Sequence, residues 1–283
     1  MPKEPLILRG VAGLREQVGT WRKSGETIAL VPTMGALHEG HLSLMRLARG
    51  QADRVLASIF VNPAQFGPGE DFDRYPRTEA EDLSKLATVG VDAAFVPSVR
   101  EMYPEGFATR VHIDRLGDVL CGAHRPGHFD GMALIVVKLL TSALPDVAIF
   151  GEKDYQQLQI IRRFTADLNI PVRILGGAIE READGLALSS RNRYLSPEQR
   201  KTAVALSAAL RAVRDAVKAG GDPSQAAAKA REDVLKAGFD SVDYIEVRDP
   251  ATLELVTDPG KPARVFGAAR LGATRLIDNW AVE

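Results

Sequence analysis

The sequence predicts an α/β protein: a parallel sheet wrapped by helices, followed by a smaller α+β domain at the C-terminal end. Three observations carry this. Short apolar runs alternate with helical periodicity over roughly the first 175 residues, the pattern of parallel strands joined by crossover helices. That pattern breaks near residue 180, where a polar loop gives way to Ala-rich helices and short strands. The length of 283 residues, with 45% hydrophobic and 26% charged, supports a sizeable core and one large or two modest domains. The division falls at 1–179 and 180–283.

Each element follows from its local pattern. Residues 27–31 (Thr-Ile-Ala-Leu-Val) read as a buried strand, after which Leu42, Leu44, Met45, Leu47 and Ala48 repeat at helical spacing over 39–50. Residues 54–61 form a second buried strand, and a helix over 78–88 leads to a strand over 91–96. His112 lies in a stretch read as a strand and is given a structural place. An apolar helix over 130–143 precedes a strand at 147–150, and a helix over 155–168 precedes a strand at 172–175. Right-handed crossovers put the ligand at the carboxyl ends of these strands. Residues 180–192 are a polar loop. Ser196 is a natural N-cap, with Pro197 at the first helical position, for a helix over about 197–219. A second helix spans 223–237, and short strands near 241–248, 264–269 and 274–279 complete the smaller domain, read as a lid.

Composition excludes several classes. A net charge of −1 gives no reason to expect nucleic acid or a membrane surface as partner. The single cysteine, Cys121, excludes an intramolecular disulfide and any multi-cysteine metal site, and is read as a packed small apolar residue. The opening Met1-Pro2-Lys3-Glu4-Pro5 is read as no signal peptide, and no apolar run reaches about 18 residues. A cytoplasmic location is expected. There is no Gly-x-x-x-x-Gly-Lys-Ser/Thr and no Gly-x-Gly-x-x-Gly after the first strand, which argues against a P-loop enzyme and a nicotinamide dehydrogenase.

The chemistry-bearing motifs follow strands. The run Pro32-Thr-Met-Gly-Ala-Leu-His-Glu-Gly-His-Leu-Ser joins the first strand to a helix start. His38 and His41 stand three apart on one face, where free N–H groups and the helix dipole favour phosphate. Gly35 and Gly40 let a ligand approach the backbone. A zinc protease helix needs its two imidazoles four apart, so this is not one. After the second strand, Asn62 and Gln65 offer neutral amides suited to hydroxyl and carboxylate groups, or Asn62-Pro63 simply opens a turn. After the strand at 147–150, Lys153 is placed to meet a phosphate, and Asp154 to cap a helix or meet a ribose hydroxyl. Gln157 sits on the first turn that follows. Ser189, Ser190 and Arg191 suit a polyphosphate clamp, or belong to an ordinary polar linker; their place between domains argues for a hinge that closes over ligand. Glu79, Glu81 and Asp82 either satisfy a helix dipole or, through Asp82, help hold magnesium. Arg125-Pro-Gly-His128 is a polar loop that could border the cleft.

Five of these runs stand in order: Val31-Pro-Thr-Met-Gly-Ala-Leu-His-Glu-Gly-His, Ser58-Ile-Phe-Val-Asn-Pro-x-Gln-Phe, Tyr75-Pro-Arg-Thr, Gly151-Glu-Lys-Asp-Tyr-Gln-Gln-Leu and Asp184-Gly-Leu-Ala-Leu-Ser-Ser-Arg-Asn. With Asp243-Tyr-Ile-Glu and Arg275-Leu-Ile-Asp-Asn near the end, the chain resembles the pantoate–β-alanine ligases of the His-x-Gly-His nucleotidyltransferase superfamily. The resemblance implies a ligase forming a carbon–nitrogen bond in coenzyme A precursor biosynthesis. ATP, pantoate and β-alanine would give pantothenate, AMP and pyrophosphate, with magnesium, through an enzyme-bound pantoyl adenylate. It also implies a Rossmann-like N-terminal domain and a homodimer. ATP would lie along Met34, Gly35, Ala36, Leu37, His38, Glu39, Gly40 and His41, with His41 as proton donor. Gly151, Glu152, Lys153, Asp154, Leu188, Ser189, Ser190 and Arg191 would also hold ATP. Gln65 would bind pantoate and later β-alanine, and Gln157 pantoate. Glu180 stands where the family usually has an apolar residue at the nucleotide, and Ala64 replaces a frequent Met.

Two rivals remain at the level of sequence. One is a nucleotidyltransferase of the same superfamily acting on a phosphorylated alcohol; uncharged Gln65 and Gln157 favour a hydroxy acid instead. The other is a nucleotide-binding regulatory module without catalysis, which the presence of His38, His41 and Lys153 disfavours.

Overall fold

The computed structural model describes residues 4–282. Met1, Pro2 and Lys3, part of the stretch read as no signal peptide, lie outside them. Among the described residues, contacts divide the chain into two compact units. The first takes residues up to Gly117, then Arg125–Glu152 and Gln157–Ala178. The second takes Asp118–His124, Lys153–Gln156 and the residues from Ile179 onward. Beside the single division after residue 179 read from sequence, two short segments thus belong with the C-terminal unit.

The first unit is a Rossmann-like layer structure. Its described strands are β1 (Leu6–Leu8), β2 (Ile28–Thr33), β3 (Arg54–Ile59), β4 (Ala93–Phe95), β5 (Val147–Gly151) and β6 (Arg173–Gly177). They form one sheet in the order β1-β4-β3-β2-β5-β6, parallel throughout. Leu30 of β2 pairs with Leu56 on one side and Ala148 on the other. From β2 the chain builds outward through β3 and β4, then returns to lay β5 against the other edge of β2. The order therefore reverses between β2 and β5, and a crevice at such a switch point is where open α/β sheets bind ligands.

Its helices are α1 (Val11–Lys23), α2 (Glu39–Arg49), α3 (Glu79–Thr88), α4 (Val99–Met102), α6 (His128–Ala143) and, from Gln157, α7 (Tyr155–Asp167), while α5 (Cys121–His124) falls in the second unit. Val31, Leu37, Met45, Ile59, Leu86 and Ile149 are buried in one cluster that joins α2 and α3 to the sheet. The sequence reading placed nothing before residue 27. β1 is only three residues long, which periodicity does not detect. α1 does carry a buried stripe, Leu14, Val18 and Trp21, at helical spacing. The strand expected around His112 does not form: the segment is irregular, and His112 Nδ1 lies 2.9 Å from Asp130 Oδ1.

In the second unit, β7 (Ser241–Arg248), β8 (Ala263–Leu271) and β9 (Thr274–Val282) make an antiparallel sheet in sequence order. α8 (Pro197–Lys218) and α9 (Pro223–Lys236) pack on it through Leu206, Leu210, Val213, Val234, Val247 and Val265. Ser196 caps α8 by accepting from the Gln199 N–H, with Pro197 next, as its sequence predicts. No helix among the described residues is long and apolar enough to cross a membrane.

Candidate functional site

In the first unit the site begins where β2 ends. Gly35 (φ 81°) and Ala36 (φ 51°) both take left-handed backbone, which turns the chain sharply into α2. The turn exposes two N–H groups that no helix or strand satisfies, and Asp82 of α3 takes both. Its Oδ2 accepts from Ala36 N–H at 2.9 Å and its Oδ1 from Leu37 N–H at 2.7 Å. Thr78 Oγ1 donates to Oδ2 at 3.1 Å, and Lys85 Nζ donates to the Leu37 carbonyl at 2.7 Å. A Cβ on Gly35 would lie 3.0 Å from Asp82 Oδ2 and 3.1 Å from Ile59 Cγ2, so the turn has no room for a side chain.

In the structure Asp82 takes a place inside the protein as the anchor of this turn. The carboxylate is fully buried and turned into the protein, where three donors occupy it. Among the described residues, no group of three or more His, Cys, Asp or Glu is placed to hold a metal.

His38 is the N-cap of α2 and His41 its third residue. The two rings are in contact, with centroids 4.1 Å apart and planes tilted by 42°. The His38 N–H donates to His41 Nδ1 at 3.3 Å. Because Nδ1 accepts there, a neutral His41 carries its hydrogen on Nε2. Glu39 is exposed and paired with Arg46. At the end of β5, Gly151 pairs with Gly177 of β6, and Gln157 lies half-buried on the first turn of α7.

The amide pair after β3 is locked from several sides. Asn62 caps a short 3-10 helix, Pro63–Gln65, by accepting from Ala64 N–H. Asn62 Nδ2 donates to Gln65 Oε1 and to the Gly131 carbonyl, each at 3.0 Å. Gln65 Nε2 approaches Met34 Sδ at 3.2 Å. A Cβ on Gly131 would sit 1.9 Å from the Ala64 carbonyl oxygen, so α6 presses directly on this turn. The Arg125 loop also reaches it. Arg125 holds Glu70 with Nε and Nη2 at 2.6 and 2.7 Å. His128 Nδ1 lies 2.8 Å from the Gln65 carbonyl and its Nε2 lies 2.9 Å from Arg125 Nη1. A carbonyl only accepts and a guanidinium only donates, so His128 carries its hydrogen on Nδ1. Burial pushes the Glu70 carboxyl up, but Arg125 more than offsets this and holds it down at about 2.

The second unit carries the other predicted residues. Lys153 Nζ lies 3.6 Å from Asp154 Oδ2, and the Lys153 carbonyl accepts from Asn279 Nδ2 at 2.9 Å. The polar loop is a small hairpin. Arg181 bridges Ala187, Glu182 N–H meets the Leu186 carbonyl, and Leu188 N–H meets the Glu180 carbonyl. It delivers Ser189, whose hydroxyl accepts from Arg191 N–H at 3.3 Å, and buried Ser190 at the head of a 3-10 helix. Glu180 thus serves the hairpin through its backbone.

The hairpin is rooted by Arg181, which the sequence reading did not single out. Its guanidinium pairs with Asp278 of β9 through both nitrogens, at 2.7 and 2.9 Å. It also donates to Ser207 Oγ and the Gly185 carbonyl at 3.0 Å, and stacks 4.0 Å from the Trp280 ring centroid. Cys121 is buried, but in a polar setting: its sulfur lies 3.1 Å from the Tyr244 hydroxyl and 3.3 Å from an Arg275 nitrogen.

A parallel sheet whose switch-point strand runs through a tight turn into a helix headed by His38-Glu39-Gly40-His41 defines an α/β nucleotide-handling enzyme. Within that class the chain belongs to the pantoate–β-alanine ligase family, whose profile matches residues 6–281. It is 58% identical to a pantothenate synthetase of Paramagnetospirillum magneticum, over 98% of either chain. A crystal structure of pantothenate synthetase from Thermus thermophilus superposes with a TM-score of 0.93 at 46% identity, covering 98% of this chain and 99% of that one. A pantoate–β-alanine ligase from Francisella tularensis, solved with β-γ ATP and β-alanine, superposes with a TM-score of 0.84 at 33% identity over 98% of each chain.

Proposed function

We propose that this chain condenses pantoate with β-alanine, with ATP converted to AMP and pyrophosphate. The observation that carries the reading is the turn from β2 into α2, where Asp82 fixes the backbone and the two imidazoles of His38 and His41 are held in contact. In the first half-reaction a pantoate carboxylate oxygen attacks the α-phosphorus, and the bond to pyrophosphate breaks. In the second, the β-alanine amine attacks the acyl carbon of pantoyl adenylate. The amide forms, the amine loses a proton, and AMP leaves.

The first half-reaction brings two anions together, so positive potential and directed donors are the chief requirement. His41 supplies an Nε2–H donor whose direction is set by the His38 backbone. The N-terminus of α2 adds the dipole's positive end. Along Met34–His41 and at Gly151 and Glu152 the first unit would line ATP, with Gln65 and Gln157 for the acid substrates; Asn62, expected beside them, has its amide engaged within the protein and stands behind Gln65. In the second unit, Lys153, Asp154, Ser189, Ser190 and Arg191 are assigned to phosphate and ribose, with Glu180 and Leu188 at the nucleotide. A preorganised donor of this kind is worth roughly 3–4 kcal/mol in the transition state. No protein nucleophile is required.

Magnesium enters this reading only with the nucleotide. Its hard charge would be met by phosphate oxygens and water, since the Asp82 carboxylate is engaged by three donors within the protein. A homodimer and a cytoplasmic location accompany the proposal, and light scattering tests the first. The rival acceptor, a phosphorylated alcohol, is disfavoured because the amides of Gln65 and Gln157 carry no charge to meet a phosphate ester. Incubation with ATP, pantoate and β-alanine should release AMP only when both acids are present. AMP-free formation of a stable nucleotide conjugate would overturn the proposal.

A further inference from the structure

We infer that Tyr103 is a positioning residue for the amide of Gln65, acting through Asn62. The inference deepens the proposed function, because it rests on Gln65 contacting the acid substrates. Tyr103 directly follows α4, and its N–H closes that helix on the Val99 carbonyl at 2.8 Å. Its ring packs against Phe60 and edge-on against Phe107, with centroids 6.4 and 5.3 Å away. This packing aims the hydroxyl at Asn62 Oδ1, 2.7 Å away.

The polarity of the chain of contacts is decided by backbone groups that cannot be reversed. Ala64 N–H can only donate, so the Asn62 atom beside it is the oxygen. The Gly131 carbonyl can only accept, so the atom beside it is the nitrogen. Asn62 therefore cannot flip. Its oxygen takes the Tyr103 hydroxyl hydrogen, and its second N–H goes to Gln65 Oε1. With Oε1 engaged, Gln65 is left with Nε2 as its other end, near the weakly accepting sulfur of Met34. The result is an amide that presents a donor. Pantoate and β-alanine both carry a carboxylate that only accepts, so the orientation selects for them. Burial pushes the Tyr103 hydroxyl up to about 12, which keeps it a donor throughout the working pH range.

Kinetics of Tyr103→Phe, Asn62→Asp, Gln65→Ala and the Tyr103→Phe/Gln65→Ala double variant test this. Tyr103→Phe should raise KM for pantoate about three- to tenfold, the scale of one neutral hydrogen bond, while KM for ATP stays within twofold. Asn62→Asp removes the donor to Gln65 Oε1, so it should raise the same KM by at least as much. In the Gln65→Ala background, Tyr103→Phe should add no further change. A full Tyr103→Phe effect in that background, or equal changes in KM for ATP and pantoate, overturns the positioning role. If Tyr103→Phe does not fold, Asn62→Asp measured with and without Gln65→Ala decides the same question. If Gln65→Ala raises KM for pantoate and neither other variant does, the positioning role fails and the proposed function stands. If Gln65→Ala leaves KM for both acids unchanged, the assignment of Gln65 fails and the inference fails with it.

Discussion

Asp82 Oδ1 accepts the backbone N–H of Leu37 at 2.7 Å, across 45 residues of sequence. A fully buried charge therefore shapes the turn ahead of the imidazole pair. Asp82→Asn keeps the volume but sets an NH2 against a backbone donor. The expected cost is about 2–3 kcal/mol, the scale of a hydrogen bond to a charged group. Urea unfolding with a chelator present checks it. An unchanged midpoint would show that these hydrogen bonds do not anchor the turn.

Lys153→Ala and His41→Ala should each slow pantoyl adenylate formation by about a hundred- to a thousandfold. ATP affinity should change far less, because the donors are aimed at charge that develops during transfer. Rapid-quench single-turnover measurement reads this directly. If His41→Ala moved only KM for β-alanine, its place in the first half-reaction would be wrong.

The Glu70–Arg125 pair predicts a definite acid response. The Glu70 carboxyl is lowered from 4.5 to about 2 in the folded chain. A carboxyl lowered by folding stabilises fully above its unfolded value and loses that contribution as pH falls through the folded one. The stability difference between wild type and Glu70→Gln should thus be constant above about pH 5, shrink below 4.5, and vanish near 2. Paired urea titrations across that window test it; a difference that grows on acidification contradicts it.

Arg181→Ala should destabilise the chain by about 3–5 kcal/mol, because it leaves the Asp278 carboxylate buried and unpaired. Arg181→Lys keeps the charge but loses the two-pronged geometry and the stacking on Trp280, so it should recover only part of the loss. Both should raise KM for ATP if the hairpin positions Ser189, Ser190 and Arg191. Thermal unfolding with steady-state kinetics separates the two effects.

Much of the fold was legible locally. β2 and β3 are near-continuous apolar runs because strands buried on both faces need no polar alternation. The start of α8 was legible because Ser196 and Pro197 encode it within one turn. The segment around His112 was misread because an isolated polar stretch carries no period that separates a strand from a loop. Cys121 was read as apolar packing, and only folding brings Tyr244 and Arg275 to its sulfur.

By itself, the sequence determined the alternation of strand and helix and the helix start that carries His38 and His41. These depend on side-chain periodicity and capping, which act within a few residues. The tertiary structure decided the distant partners. Asp82 became the anchor of a turn, Tyr103 found the Asn62 oxygen 41 residues away, and Arg181 found Asp278 across 97 residues. The physical reason is that a buried polar group must be matched by a partner wherever the chain supplies one, and separation along the sequence carries no record of which partner that is.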